Sequence, residues 1–131
     1  MGTWATGSFG NDSAGDWVIE FSENPTFQFI KETLETSIED PDDSMSNENA
    51  IAAAETLCIL SGIIPNDYEE VSHNLEPVIA KLKEQPMPTD IKNLALKAVE
   101  LIEKDSELKE LWENDEDWIT EIKKLKQRLK S

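Results

Sequence analysis

The chain has 131 residues, 28 of them acidic and 12 basic, for a formal net charge of -16 at pH 7. That length suits one domain able to bury a core without staples, and a single cysteine, Cys58, excludes an intramolecular disulfide. The charge is lopsided: residues 1–80 hold 16 acids against one base, Lys31, whereas residues 81–131 hold 12 acids against 11 bases. Such a field repels nucleic-acid phosphates and anionic lipid and attracts cationic surfaces. Neither nucleic acid nor membrane is therefore an expected partner.

The opening, Met1-Gly2-Thr3-Trp4, lacks the basic and apolar regions of a signal peptide. The longest apolar stretch, 51–64, is interrupted by Glu55, Thr56 and Ser61 and is too short to span a bilayer. A cytoplasmic chain is expected, where a lone thiol stays reduced.

No stretch alternates with period two, and the apolar spacing is helical nearly throughout. An all-α domain of six or seven helices around a central Ala-rich helix is expected, occupying residues 1–131 as a single unit. Residues 1–10 read as an anchoring loop broken by Gly2, Gly7 and Gly10. Asn11 or Asp12 can cap a first helix that carries Ala14, Trp17, Val18 and Phe21 on one stripe. Asn24 and Pro25 read as cap and first residue of a second helix, with Phe27, Ile30, Leu34 and Ile38 facing inward. Residues 40–49, DPDDSMSNEN, read as an acidic surface loop. Ser46 or Asn47 can then cap the central helix, residues 47–61, which is apolar nearly all round. Gly62 should close it, with Pro65 following.

Beyond that, Tyr68, Val71, Leu75, Val78, Ile79 and Leu82 have helical spacing, which Pro77 is expected to break or kink after Leu75. Residues 85–89, with Pro86 and Pro88, form a rigid connector. Thr89 can cap a fifth helix burying Ile91, Leu94, Ala95, Ala98 and Ile102. Asp105 or Ser106 opens a short helix with Leu108, Leu111 and Trp112. Asn114 or Asp115 opens the last one, with Trp118, Ile122, Leu125 and Leu129 inside. Its acidic start and its basic end (Lys123, Lys124, Lys126, Arg128, Lys130) complement the helix dipole. That accounts for the basic run without a nucleic-acid site.

Signatures of chemistry are weak. His73 is the only histidine, placed on an acidic helix with no nucleophile signature beside it. Two Cys or His residues in total fall short of a zinc site. Asp40, Asp42 and Ser44 resemble the start of an EF-hand loop, but Met45 stands where the turn glycine belongs and Ile51 where the bidentate glutamate belongs. No phosphate-binding glycine loop is present. Met1 to Thr6 fits an N-myristoylation pattern but lacks a polybasic second signal. The sequon Asn11-Asp12-Ser13 means nothing in a cytosolic chain. The expectation is a protein that is not an enzyme and takes no metal or cofactor.

The most specific feature is the opening, Met1-Gly2-x-Trp4-x-x-Gly7-x-Phe9-x-Asn11-Asp12-x-Ala14-x-Asp16-Trp17. It resembles the start of a bacterial family known as domain of unknown function 4259. Ala50–Gly62 also looks like that family's Ala-rich central helix, and Ser106–Leu108, Leu111-Trp112 and Trp118 are similar to its tail. This chain departs at Ala5, where the family usually has Gly, and at Gly15. The opening reads as structural: Trp4 and Phe9 anchor onto the first helix, Asn11 and Asp12 supply caps and charge, Asp16 bonds backbone, and Trp17 is core.

The family name implies no activity. By analogy alone, small acidic helical proteins of this kind resemble immunity proteins of contact-dependent or polymorphic toxin systems. The corresponding expectation is a monomer that neutralises a cognate basic toxin domain, a nuclease for preference, because a nuclease surface is built to hold phosphate. The expected contact surface runs through Glu35, Glu39, Asp40, Asp42, Asp43 and Glu48, then Asp67, Tyr68, Glu69 and Glu70, with Tyr68 as its aromatic anchor. The alternative is a non-catalytic adaptor or regulatory module whose charge serves solubility.

Overall fold

The structure is a computed structural model that describes residues 12–65, 68–70, 72–113 and 115–130; the side chains of Asp12 and Glu70 lie outside the description. Its α-helices are α1 (Asp12–Glu23), α2 (Phe27–Glu39), α3 (Ser44–Leu60), α4 (Ser72–Leu82), α5 (Ile91–Lys104), α6 (Glu107–Trp112) and α7 (Glu116–Lys130), with a 3-10 turn at Tyr68–Glu70. Among the described residues there is no strand, and no helix is long and apolar enough to cross a membrane.

The architecture follows from α3. Every residue from Asn47 to Ile59 is buried except Asn49, which is half-buried. A helix with no polar face must be enclosed, and α3 packs against all six of the others. Each neighbour contributes one stripe: Ala14, Trp17, Val18 and Phe21 from α1, Ile30 and Leu34 from α2, and Trp118, Ile122, Leu125 and Leu129 from α7. Helix α3 ends in a Schellman motif. The Ile63 N–H donates to the Cys58 carbonyl at 3.0 Å and the Gly62 N–H to the Ile59 carbonyl at 2.9 Å. Gly62 makes this turn possible by adopting φ +91°, a region that side chains with a Cβ avoid.

Several boundaries differ from those the sequence suggests. Pro25 lies outside α2, whose cap is Thr26; its hydroxyl accepts the Phe29 N–H at 3.0 Å. The acidic loop is short: α3 begins at Ser44 because Asp43 caps it, accepting the Met45 N–H at 3.3 Å and the Ser46 hydroxyl at 2.7 Å. Asn47 is no cap. It is buried, with Nδ2 donating to Ser37 Oγ at 3.0 Å and Oδ1 accepting the Leu108 N–H at 3.3 Å, so it ties α2, α3 and α6 together.

Pro77 does not break α4, which runs through it. A mid-helix proline costs about 3 kcal/mol. Burying Leu75, Val78, Ile79 and Leu82 returns about 1.5–3 kcal/mol each, so tertiary packing wins. Helix α5 starts after Asp90, not Thr89, without a side-chain capping bond. Ser106 caps α6 as its hydroxyl accepts the Lys109 N–H at 3.0 Å. Leu111, expected inside, is 64% exposed; α6 has only six residues, and Leu108 supplies its fully buried anchor.

One charged pair crosses the core. Glu55 on α3 is completely buried, and Arg128 on α7 grips it with two nitrogens, Nε donating to Oε2 at 3.0 Å and a terminal nitrogen to Oε1. Burial works against the guanidinium's charge, but the hydrogen bond and charge of Glu55 outweigh it and hold the Arg128 pKa above its usual value. Lys126 Nζ makes a parallel bridge to Glu103 of α5 at 2.6 Å. The basic run of α7 is therefore partly a set of clamps. Arg128→Met is expected to cost about 3–5 kcal/mol, because it strands a buried carboxylate without its guanidinium, whereas Glu55→Leu/Arg128→Met should cost far less. Urea melts of the three proteins check this. A loss in the single variant within the roughly 0.5 kcal/mol of an ordinary surface change would show that the clamp is idle.

Candidate functional site

The residues expected to form the acidic surface divide into two groups. Glu35, Glu39, Asp40 and Asp42 are exposed along the end of α2 and the corner before α3. Asp43 is half-buried at that corner, with its carboxylate committed to the α3 cap. Glu48 is buried on α3. Tyr68 and Glu69 belong to the 3-10 turn, which follows the other end of α3 and packs on α4. The 17 residues of α3 place its ends about 24 Å apart. Tyr68 is half-buried, and burial first, then the charge of Glu76, raises its pKa. Asp67 and the side chain of Glu70 lie outside the described residues.

Of the opening motif, Trp4, Phe9 and Asn11 lie outside the described residues, as does the Asp12 side chain; the Asp12 backbone begins α1. Asp16 is exposed. Trp17 is almost fully buried: its ring stacks on Phe21 at 5.0 Å and its indole N–H donates to Thr33 Oγ1 at 2.9 Å. Thr33 in turn donates to the Phe29 carbonyl at 2.9 Å.

These contacts shape a feature that the sequence did not disclose. A cleft of about 210 Å³ opens between α1, α2 and α3, lined by Trp17, Glu20, Phe29, Glu32, Thr33, Thr36, Ser46 and Asn49. Its residues come from three helices with no shared motif, so only the fold brings them together. Helices α1 and α2 also expose Asp16, Glu23, Glu35 and Glu39, with Lys31 as their one exposed base. A second, larger groove of about 570 Å³ lies between α2 and the start of α5, with Lys31, Glu35, Asp90 and Lys97 around Ile91 and Leu94.

Groups suited to chemistry are dispersed. His73 is exposed on α4, and among the described residues no three His, Cys, Asp or Glu side chains are placed to hold a metal ion. Cys58 is wholly buried on α3; burial, followed by the charge of nearby Glu55, pushes its thiol up to about 12. A thiol held neutral in this way is not a nucleophile.

The model of the family described as domain of unknown function DUF4259 matches residues 2–124. The chain belongs to that family. Comparison with curated proteins and with solved structures gives no match.

The Cys58 environment predicts a pH response. The unfolded thiol ionises near its usual value of about 8.5, while the folded thiol stays neutral up to about 12. The unfolded state therefore binds fewer protons in this window, and stability falls as pH rises through it. Urea midpoints compared between neutral pH and pH about 10 should drop more in the wild type than in Cys58→Ala. Equal drops in the two proteins would show that Cys58 ionises alike in both states.

Proposed function

We propose that the chain is an immunity protein, a non-catalytic inhibitor that binds a cognate basic toxin domain, a nuclease in the first instance, and neutralises it in the cytoplasm. The observation that carries this reading is the charge of α1, α2 and the α2–α3 corner. These elements expose Asp16, Glu20, Glu23, Glu32, Glu35, Glu39, Asp40 and Asp42 against Lys31. Like charges gathered in this way repel each other and destabilise a fold. They also accelerate encounter with a cationic partner and exclude wrong ones. A nuclease offers such a partner, since the surface that holds phosphate is basic. The reading calls for a preformed docking domain, and the packing of six helices around α3 is consistent with one.

A second reading, an adaptor or regulatory module whose charge maintains solubility, draws support from another acidic region. Glu110, Glu113, Asp115, Glu116 and Asp117 are also exposed, around the α6–α7 turn. There Asp115 caps α7, accepting the Asp117 and Trp118 N–H groups at 2.9 and 3.1 Å, and Glu116 and Asp117 sit in its first turn. Asp115, Glu116 and Asp117 thus have local helical roles that the exposed acids of α1 and α2 lack.

Reversing charge at Glu35, Glu39, Asp40 and Asp42 to Lys tests the first reading against any toxin domain that a neighbouring gene encodes. Association should slow by roughly tenfold or more, with wild-type binding weakening as salt rises, and protection of cells should be lost. Unchanged association and protection would remove the acidic face from the mechanism.

A further inference from the structure

Helix α6 carries an apolar stripe that runs out of the core. Leu108, Leu111 and Trp112 have i, i+3 and i+4 spacing and so share one side of the helix. Leu108 is buried, Trp112 is half-buried with its ring stacked on Trp118 at 6.3 Å, and Leu111 is 64% exposed. The foot of this stripe is tied to the α2–α3 corner. The Glu107 N–H donates to the Pro41 carbonyl, and the Glu107 carboxylate accepts the Ser44 N–H, both at 3.0 Å. Met45, the next residue of α3, is 59% exposed. Of the four large apolar side chains exposed among the described residues, two therefore flank one junction. Asp40 and Asp42 at the corner and Glu107 and Glu110 on α6 are exposed there too. Lys109, the one base of α6, is held on the helix by its bond to the Lys104 carbonyl at 3.0 Å. Single exposed apolar side chains are ordinary, and solubility accounts for acids. It does not account for apolar groups gathered among them.

We propose that the α3–α6 junction anchors a basic protein partner, with Met45, Leu111 and Trp112 receiving an apolar side chain that the partner presents between lysines or arginines. Charge complementarity selects this occupant. A second copy of the chain would bring the same acids against one another, which their repulsion opposes, whereas a cationic segment is drawn to them. Interfaces set an apolar centre, enriched in aromatic residues and methionine, inside a polar rim, and tryptophan is prominent among the residues that carry binding energy. The junction supplies both parts in one patch. Its rim of carboxylates would speed encounter, and its apolar centre would slow release. Tyr68, the aromatic anchor expected from the sequence, follows the other end of α3, about 24 Å from this corner. The proposal rests on the reading of the α2–α3 corner as part of a docking surface and names what holds the partner there.

Two peptides of equal charge test the anchor on the ¹⁵N-labelled full chain. Acetyl-Lys-Lys-Phe-Lys-Lys-amide should shift the Trp112 indole signal saturably and bind about tenfold tighter than acetyl-Lys-Lys-Ser-Lys-Lys-amide, as burial of one aromatic ring implies. Leu111→Gln and Met45→Gln alter exposed side chains and leave the core intact, which matching urea midpoints verify. Loss of the phenylalanine preference in either variant supports the anchor; survival in both overturns it. Equal affinity of the wild type for the two peptides, or shifts centred away from Trp112, would also overturn it. A Trp112 signal that moves with protein concentration alone would assign the patch to a second copy. NOE contacts from Trp4 or Phe9 to Leu111 would assign it to the chain's own opening segment, and either result sinks the proposal. Asp40→Asn/Asp42→Asn should weaken both peptides alike, a result that bears on the acidic surface and not on the anchor. Failure of the anchor and failure of the docking surface are therefore distinguishable.

Discussion

Everything in this fold follows from a helix that has no face to give to water. Residues 47–59 of α3 include four alanines, three large aliphatic residues and Cys58, and the segment is buried around its whole circumference. Enclosing a cylinder on all sides takes several partners, and the six other helices of the described chain meet that demand with one apolar stripe each. The same demand explains why α4 tolerates Pro77 and why the short α6 forms at all. Both are held by what they cover rather than by their own propensity.

Within that enclosure the fold completely buries the carboxylate of Glu55. A carboxylate at the position of Glu55 would be prohibitive alone; Arg128 makes it tolerable and, in doing so, fixes how α7 lies against α3. A hydrophobic pair could match or exceed this pair in stability. What the pair adds is geometry, since a two-pronged guanidinium accepts few orientations of its carboxylate. The neighbouring Lys126–Glu103 bridge secures the same helix to α5. Part of the C-terminal basic run is therefore directed at acids of α3 and α5.

The helical class, the buried stripes of α1 and α7 and the Gly62 turn were legible in the sequence because each depends on local periodicity or on one residue's backbone freedom. Boundaries were less legible. Thr26 and Asp43 beat neighbouring candidates as caps through hydroxyl and carboxylate geometry that composition does not rank. Pro77 does not end its helix because its cost is local and its compensation is tertiary. The same distinction applies to the candidate surface. Exposed acids of α2 could be listed from the sequence, but Glu48 is turned inward by the all-round burial of α3, and Tyr68 follows the far end of that helix. The cleft could not be anticipated, since Glu20, Glu32 and Asn49 come together only when three helices dock.

The acids of this protein fall into two kinds once their contacts are known. Asp43 and Asp115 cap helices, Glu55 and Glu103 hold α7, and Glu107 accepts the Ser44 N–H at 3.0 Å to bind α6 to the start of α3. These carry structural work, and substituting them should be felt in stability. Asp16, Glu20, Glu23, Glu35, Glu39 and Asp42 make no hydrogen bond or ion pair among the described residues, and their mutual repulsion opposes folding. Beyond that repulsion, charge of this second kind is left to act on solvent or on a partner. Those two destinations differ in one physical respect: solvation is indifferent to position, whereas docking requires neighbouring charges around a shaped recess. Glu20 and Glu32 flank a cleft between three helices, so the position of the charges, not their number, separates the two.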